Sequence, residues 1–134
     1  MKKKSVAFPN WGKCQYTGEV NTLDQPHGLG TAVREDGYRY EGTFQAGSLV
    51  TGKVFRPDGF LLYEGEFKEG RYHGMGTVFG RSGTVRTGWW EEDVLKDGTM
   101  TYPDGRVVDV VNGEWLDLED KTVVEEYWAK WGRL

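Results

Sequence analysis

The chain has 134 residues, which corresponds to one domain. Its formal net charge of −4 argues against nucleic acid as a partner and against an anionic membrane as the dominant one, because both bind net basic surfaces. The single cysteine, Cys14, excludes an intramolecular disulfide framework.

The N-terminal stretch gives the first expectations. It contains no apolar core of a secretory signal peptide, and no run in the chain is long and apolar enough to cross a bilayer, so we expect an intracellular, cytoplasmic protein. Residues 1–4 are basic, and we expect them to be disordered. Residues 5–12 align with residues 76–83 and predict a half repeat over residues 5–15, in which Pro9 suits an edge strand.

Glycines mark a repeat through residues 16–105, because three series of them recur every 22 to 24 residues. The series are Gly18, Gly42, Gly65 and Gly88; Gly30, Gly52, Gly76 and Gly98; and Gly37, Gly59, Gly83 and Gly105. A fixed period of this length predicts stacked supersecondary units. The units are residues 16–37, 38–59, 60–83 and 84–105, with a degenerate end at residues 106–111, so the repeat region spans residues 5–111.

Each unit predicts two strands joined by a connection of variable length. The first strands are residues 16–20, 40–44, 63–67 and 86–90, and the second strands are residues 30–34, 52–56, 76–80 and 98–102. An Asp-Gly pair such as Asp58-Gly59 follows most second strands and predicts a type I′ hairpin turn. With the half repeat this makes nine strands, and residues 106–111 would form a tenth.

Period-two alternation separates two faces of each first strand. It puts Tyr63, Gly65 and Phe67 on one face and Glu64 and Glu66 on the other. A glycine inside a strand normally weakens it, but these glycines recur in register. We therefore expect an aromatic ring to lie across the bare backbone at each of them.

The third unit carries the clearest resemblance to a known family. Its Tyr63-Glu-Gly-Glu-Phe67, followed by His73-Gly-Met-Gly-Thr77 and the turn glycine Gly83, resembles the MORN repeat. Residues 16–37 resemble it as well. Residues 40–59 depart from the pattern at Leu49 and Val50, and residues 86–105 depart at Arg86 and Leu95-Lys96. The resemblance covers roughly residues 5–105.

The resemblance implies a mainly β protein, an elongated single-layer antiparallel sheet of stacked hairpins. It also implies a non-catalytic scaffold or adaptor that holds a partner peptide or helix along an aromatic-lined surface. The expected apolar contacts are Tyr16, Tyr40, Phe44, Tyr63, Phe67 and Trp90. Some members of the family are linked to membranes or phosphoinositides, and the family contains dimers.

Two alternatives to a protein partner on the aromatic face stay open. One is a peripheral anionic-lipid module that uses Lys2, Lys3 and Lys4 with scattered arginines such as Arg34, Arg39 and Arg56. The other is self-association as a homodimer. The opposite face carries acidic side chains, which form either a repeated recognition surface or ordinary solvent-exposed strand positions. They are Glu41 and Glu64, with Glu19 and Glu66.

Side chains that could carry chemistry are few. His27 and His73 occupy the same motif position in two different repeats. A zinc site needs three or four ligands, and Cys14 is the single thiol of the chain. The acidic run at residues 91–93 is typical of a solvated loop. No nucleophile, base and orienting group can be assembled from the spacing, so we expect neither an enzyme nor a metal or cofactor site.

The C-terminal residues 112–134 change pattern, because residues 112–116 break the alternation and helical periodicity follows. Thr122-Val-Val-Glu125 resembles a capping box. Val124, Tyr127, Trp128 and Trp131 then share one helical face. We expect a linker and a short helix, which docks through Tyr127, Trp128 and Trp131. We favour docking on the last hairpin as a cap; docking on another chain is the alternative.

Overall fold

The computed structural model describes residues 2–116, which form one antiparallel sheet of 11 strands. Strands that follow each other in sequence are hydrogen-bonded neighbours throughout this sheet. The strands are β1 (Lys2–Phe8), β2 (Gly12–Val20), β3 (Pro26–Arg34), β4 (Arg39–Gln45), β5 (Ser48–Phe55), β6 (Leu61–Lys68), β7 (Arg71–Phe79), β8 (Val85–Glu91), β9 (Val94–Thr101), β10 (Val107–Val111) and β11 (Glu114–Leu116). The prediction of a mainly β, single antiparallel sheet of hairpins is confirmed. The predicted C-terminal helix, with Tyr127, Trp128 and Trp131, lies outside the described residues.

The turns between repeats are not of the predicted type I′. In the first of them the amide of Gly37 donates to the carbonyl of Arg34 at 3.0 Å. Within that loop only Gly37 has a positive φ, of 95°. This is a three-residue loop in which a left-handed glycine follows an ordinary turn. The aspartate of each Asp-Gly pair stabilises the loop instead, as where Asp58 Oδ1 accepts the amide of Phe60 at 3.1 Å.

Type I′ geometry occurs at the other ends of the strands, inside three of the repeats and in the hairpin that follows the last one. Both central residues have positive φ in the turns Ala46-Gly47, Glu69-Gly70, Glu92-Asp93 and Asn112-Gly113. The last of these was expected to break the pattern. It instead forms a hairpin that adds β11 to the sheet, where Trp115 lies opposite Val110. A strand of three residues is too short to show period-two alternation in the sequence.

The expectation of a disordered start is wrong for Lys2, Lys3 and Lys4. They form the first half of β1 and lie opposite residues 16–18 of β2. The ammonium groups of Lys2 and Lys4 each lie 2.7 Å from a carboxylate oxygen of Asp24. A lysine run shows no partner in sequence, because Asp24 belongs to a loop that only the fold brings near.

The sheet has an inner face that carries the core and an outer face that carries most of the exposed strand residues. Inner-face side chains from β1 to β10 form one continuous cluster. The sheet curls, so that the tip of the β1–β2 hairpin reaches the turn between β6 and β7. There the indole of Trp11 stacks on Tyr40 with ring centroids 3.8 Å apart and donates to the carbonyl of Gly70 at 2.7 Å.

Candidate interaction surface

The motif tyrosines pack on glycines of the neighbouring strand. Gly76 lies opposite Gly65 in the β6–β7 ladder. A Cβ built on Gly76 would lie 2.6 Å from Cε1 of Tyr63 and closer still to its hydroxyl oxygen. That hydroxyl donates to the carbonyl of Glu66 at 2.8 Å. The expected ring-over-glycine contact therefore exists, and it is closest on the glycine across the ladder; on Gly65, in the tyrosine's own strand, a Cβ would lie 2.8 Å from the hydroxyl oxygen of Tyr63.

The second glutamate of the motif has a structural task. Glu66 Oε2 accepts the backbone amide of Met75 at 2.8 Å. A Cβ on Gly74, whose φ is 98°, would lie 3.0 Å from Cδ of Glu66 and nearer to its carboxylate oxygen. Positive φ and this close approach both require glycine at Gly74. Glu19 repeats the arrangement in the first unit, so Glu19 and Glu66 stabilise hairpins.

The second and fourth units lack the tyrosine–glycine contact. Tyr40 stacks on Trp11 instead, and its hydroxyl accepts from Arg34 Nη1 at 2.9 Å. In the fourth unit Arg86 stands in the place of the tyrosine, and the indole of Trp90 donates to the carbonyl of Gly76 at 2.9 Å. The full motif geometry is therefore confined to the first and third units.

This geometry defines a repeat protein built from stacked hairpins, in which a tyrosine packs on a glycine in the first and third units. The chain contains MORN repeats: the family model of the MORN repeat matches residues 16–37 and 63–85, the two units with that contact. No curated protein matches the chain. MORN repeats are generally protein- or membrane-interaction repeats and are generally non-enzymatic.

The six aromatic residues expected to contact a partner all lie in the core. Tyr16 and Tyr63 are 0% exposed, and Phe67, the most accessible of the six, is 7% exposed. The others are Tyr40, Phe44 and Trp90. They are covered because the sheet curls and the rings pack on one another. Tyr63, for example, stacks on Tyr72 with centroids 3.8 Å apart.

The two acidic residues predicted on the opposite face lie on the outer face. Glu64 is exposed and Glu41 is half-buried. Lys53, on β5 between them, lies opposite both. The Nε of Arg39 lies 3.7 Å from a carboxylate oxygen of Glu41. The row therefore alternates in sign instead of being uniformly acidic.

The outer face also carries an apolar patch that the sequence did not indicate. We call it the Trp89 patch; its members are His73, Met75, Trp89 and Val94. Trp89 lies directly opposite Met75 on the neighbouring strand, and the two are 41% and 55% exposed. His73 meets Trp89 edge to face with ring centroids 6.3 Å apart, and Val94 is 47% exposed. Met75 is the variable residue of His73-Gly-Met-Gly76, and Trp89 stands in the fourth unit where Glu66 stands in the third. Only strand pairing brings the two together.

The rim of the Trp89 patch is acidic beside Trp89 and Met75. The indole of Trp89 donates to Glu91 Oε1 at 3.4 Å, and Asp97 lies opposite Trp89 on β9. Glu66 lies on the Met75 side through its bond to that residue's amide. An open hollow of about 390 Å³ adjoins His73. Its other lining residues are Asn10, Lys68, Glu69, Arg71 and Glu92.

The residues considered for catalysis or metal binding have structural roles. His27 Nδ1 accepts the amide of Ala46 at 3.1 Å. Burial raises the pKa of the Cys14 thiol to about 11, which keeps it protonated and unreactive at neutral pH. In the acidic run, Asp93 Oδ1 accepts the amide of Tyr72 at 2.9 Å. Residues 2–116 contain no group of three or more His, Cys, Asp or Glu placed to hold a metal ion.

A helix with the length and apolar character needed to cross a bilayer is absent from the described part of the chain.

Proposed function

We propose that the chain is a non-catalytic interaction module, an adaptor that holds a segment of a partner protein on its outer face at the Trp89 patch. One observation carries the proposal. Trp89 and Met75 lie side by side and are 41% and 55% exposed, whereas the inner-face aromatic residues of the repeats are buried. Aromatic residues and methionine are enriched in protein interfaces, and tryptophan above all in their hot spots.

The acidic rim favours a partner segment that combines apolar and basic side chains. An apolar side chain would cover the ring of Trp89, and a basic one would pair with Glu91 or Asp97. Pairs of this kind at a rim steer association and fix the register more than they add affinity. An extended strand and a helix can both present this pattern.

The test is affinity capture from the native cell with mass spectrometry, comparing the natural chain with a Trp89→Ser/Met75→Ser variant. The chain provides a matched control, because Leu29 occupies in the first unit the position that Met75 has in the third. Leu29 is 67% exposed on the same face. Leu29→Ser should therefore remove similar apolar surface from a different place.

We expect a partner that the natural chain and Leu29→Ser both retain and that the double variant loses. Urea unfolding of all three proteins should coincide, because exposed substitutions change stability little. A partner retained equally by the double variant would refute the Trp89 patch as the site. The absence of any captured protein would refute the adaptor function.

Anionic-lipid binding and homodimerisation stay predictions. Of the cations expected to meet lipid, Lys2 and Lys4 are paired with Asp24, and Arg34 with Asp36. This pairing weighs against a lipid site. Co-sedimentation with anionic vesicles at low salt tests the first prediction, since screening is weakest there. Light scattering of the full chain tests the second.

A further inference from the structure

The four loops between and after the repeats form one continuous edge of the sheet. A Cβ on Gly37 would lie 3.0 Å from Cβ of Pro57, and one on Gly83 would lie 3.3 Å from Cγ of Pro103, so the first loop touches the second and the third touches the fourth. The second and third loops are joined by an ion pair between Arg81 and Asp58.

Arginines and aromatic rings line this edge, which we call the arginine edge, and Arg86 adjoins it as the second residue of β8. Its members are Arg34, Tyr38, Arg56, Phe60, Arg81, Arg86, Tyr102 and Arg106. The guanidinium carbon of Arg34 lies 5.1 Å from the centroid of Tyr38, and that of Arg106 lies 4.4 Å from Tyr102. Phe60 is flanked by two arginines, Arg81 at 4.8 Å and Arg56 at 6.0 Å.

A guanidinium stacked on a ring is held in place while its edge N–H groups still point away to form hydrogen bonds. Two arginines of the edge lack a carboxylate partner among residues 2–116. Arg86 is exposed, and among residues 2–116 it has neither a hydrogen bond nor an ion pair. The Nε of Arg56 is buried without a hydrogen-bond partner in the described part of the chain.

We propose that the arginine edge binds an acidic segment of a partner protein, whose carboxylates pair with Arg56 and Arg86. Planar guanidinium groups suit carboxylates, which accept two parallel hydrogen bonds from one arginine. This edge is separate from the Trp89 patch, so an adaptor with both surfaces holds two different segments: one apolar and basic, the other acidic.

Carboxylates between the arginines select a peptide over a continuous polyanion. Asp36, Asp58 and Asp104 each lie in one of the loops. They repel a nucleic-acid backbone or an anionic bilayer that carries charge along the whole edge. A peptide can instead place its acids opposite the arginines and uncharged residues opposite the aspartates.

The spacing of the loops sets the spacing of the acidic side chains that the peptide must present. Neighbouring loops are two strands apart, or about 9.6 Å at a strand spacing of about 4.8 Å. A polyproline II peptide repeats its side-chain direction every third residue, which is about 9.3 Å. A peptide of four Glu-Pro-Pro triplets therefore presents one acid per loop.

The experiment is fluorescence anisotropy with labelled peptides and the full chain at low salt. The probes are four Glu-Pro-Pro triplets, a flexible acidic peptide of equal charge built from Glu and Gly, and four Gln-Pro-Pro triplets as the neutral control. The protein variants are Arg56→Gln/Arg86→Gln, Trp89→Ser, and Arg71→Gln. Arg71 is an exposed arginine at the opposite ends of the strands, and it serves as the matched control.

We expect both acidic peptides to bind more tightly than the neutral one, and the Glu-Pro-Pro peptide most tightly. The Arg56/Arg86 double variant should weaken binding about tenfold or more, because charge-assisted hydrogen bonds are lost. Arg71→Gln and Trp89→Ser should leave it unchanged, and the Trp89→Ser result separates this proposal from the adaptor function. Urea unfolding confirms that the double variant is folded.

Three results would overturn the proposal. The first is equal binding of acidic and neutral peptides. The second is acidic-peptide binding that the Arg56/Arg86 double variant retains in full. The third is arginine-dependent binding to phosphatidylserine vesicles without binding to either acidic peptide, which would assign the edge to a membrane.

Discussion

Replacing Gly76 by alanine probes the contact on which each regular repeat is built. The new Cβ would lie 2.6 Å from Cε1 of Tyr63, whereas ordinary contacts begin at 3.4 Å. The ring cannot retreat freely, because it is 0% exposed and stacks on Tyr72. Overpacking of this kind costs about 1–3 kcal/mol. If the ring moves, the loss of its hydrogen bond to the Glu66 carbonyl adds about 1 kcal/mol to that cost.

We therefore expect Gly76→Ala to lower the free energy of unfolding by about 2–4 kcal/mol. In urea this shifts the midpoint down by about 1–2 M at a typical slope. Gly80→Ala is the matched control in the same repeat. Neither glycine has a positive φ, but a Cβ on Gly80 would approach nothing closer than 3.3 Å. Gly80→Ala should change stability by less than about 1 kcal/mol.

A double-mutant cycle isolates the ring as the cause. In a Tyr63→Leu background the shorter side chain leaves space, so Gly76→Ala should cost much less than in the natural chain. The coupling energy should be about 2 kcal/mol. The Tyr63 ring is not the cause if Gly76→Ala costs no more than Gly80→Ala, or if its cost is the same in both backgrounds.

Three further predictions concern Trp11, Glu66 and Cys14. Trp11→Ala should lower the free energy of unfolding by about 3–5 kcal/mol, because it removes a buried indole. Trp115 is 59% exposed, so Trp115→Ala should change the free energy of unfolding by no more than about 0.5 kcal/mol. Equal urea midpoints for the two variants would contradict the closure of the inner face. Glu66→Ala should cost about 1 kcal/mol, because one backbone amide loses its acceptor, and an unchanged midpoint would remove that role. In the folded state the pKa of the Cys14 thiol is raised from 9.0 to about 11. Between these values the unfolded chain loses the thiol proton and the folded chain keeps it, so stability should fall as pH rises from about 9 to about 11. A Cys14→Ala variant should show a shallower decline in urea unfolding followed against pH, and an identical decline would exclude the thiol as a cause.

The sequence predicted the repeats, their order and the single sheet, because the glycine period and the alternation are local signals. It missed contacts that join distant residues. Trp11 and Gly70 are 59 residues apart in the chain, and nothing near either one marks their hydrogen bond. That contact accompanies the curl of the sheet, and the curl helps to bury the aromatic residues that were expected to meet a partner.

The candidate surfaces were harder to predict than the fold. Alternation assigns Met75 and Trp89 to one face, but it does not show that they lie opposite each other on neighbouring strands. The arginine edge depends in the same way on loops from different repeats. Asn112-Gly113 is a strong hairpin signal in itself, but the strand after it is too short to show alternation in the sequence.

The most direct test of the account is hydrogen exchange of the tryptophan indole protons, measured by NMR on the unaltered chain. The indole groups of Trp11 and Trp90 are buried and donate to backbone carbonyls, whereas Trp89 is 41% exposed. Slow exchange at Trp11 and Trp90 with fast exchange at Trp89 is the predicted result. Exchange at Trp11 and Trp90 as fast as at Trp89 would mean that the inner face is open to solvent and to partners, which would contradict the central claim.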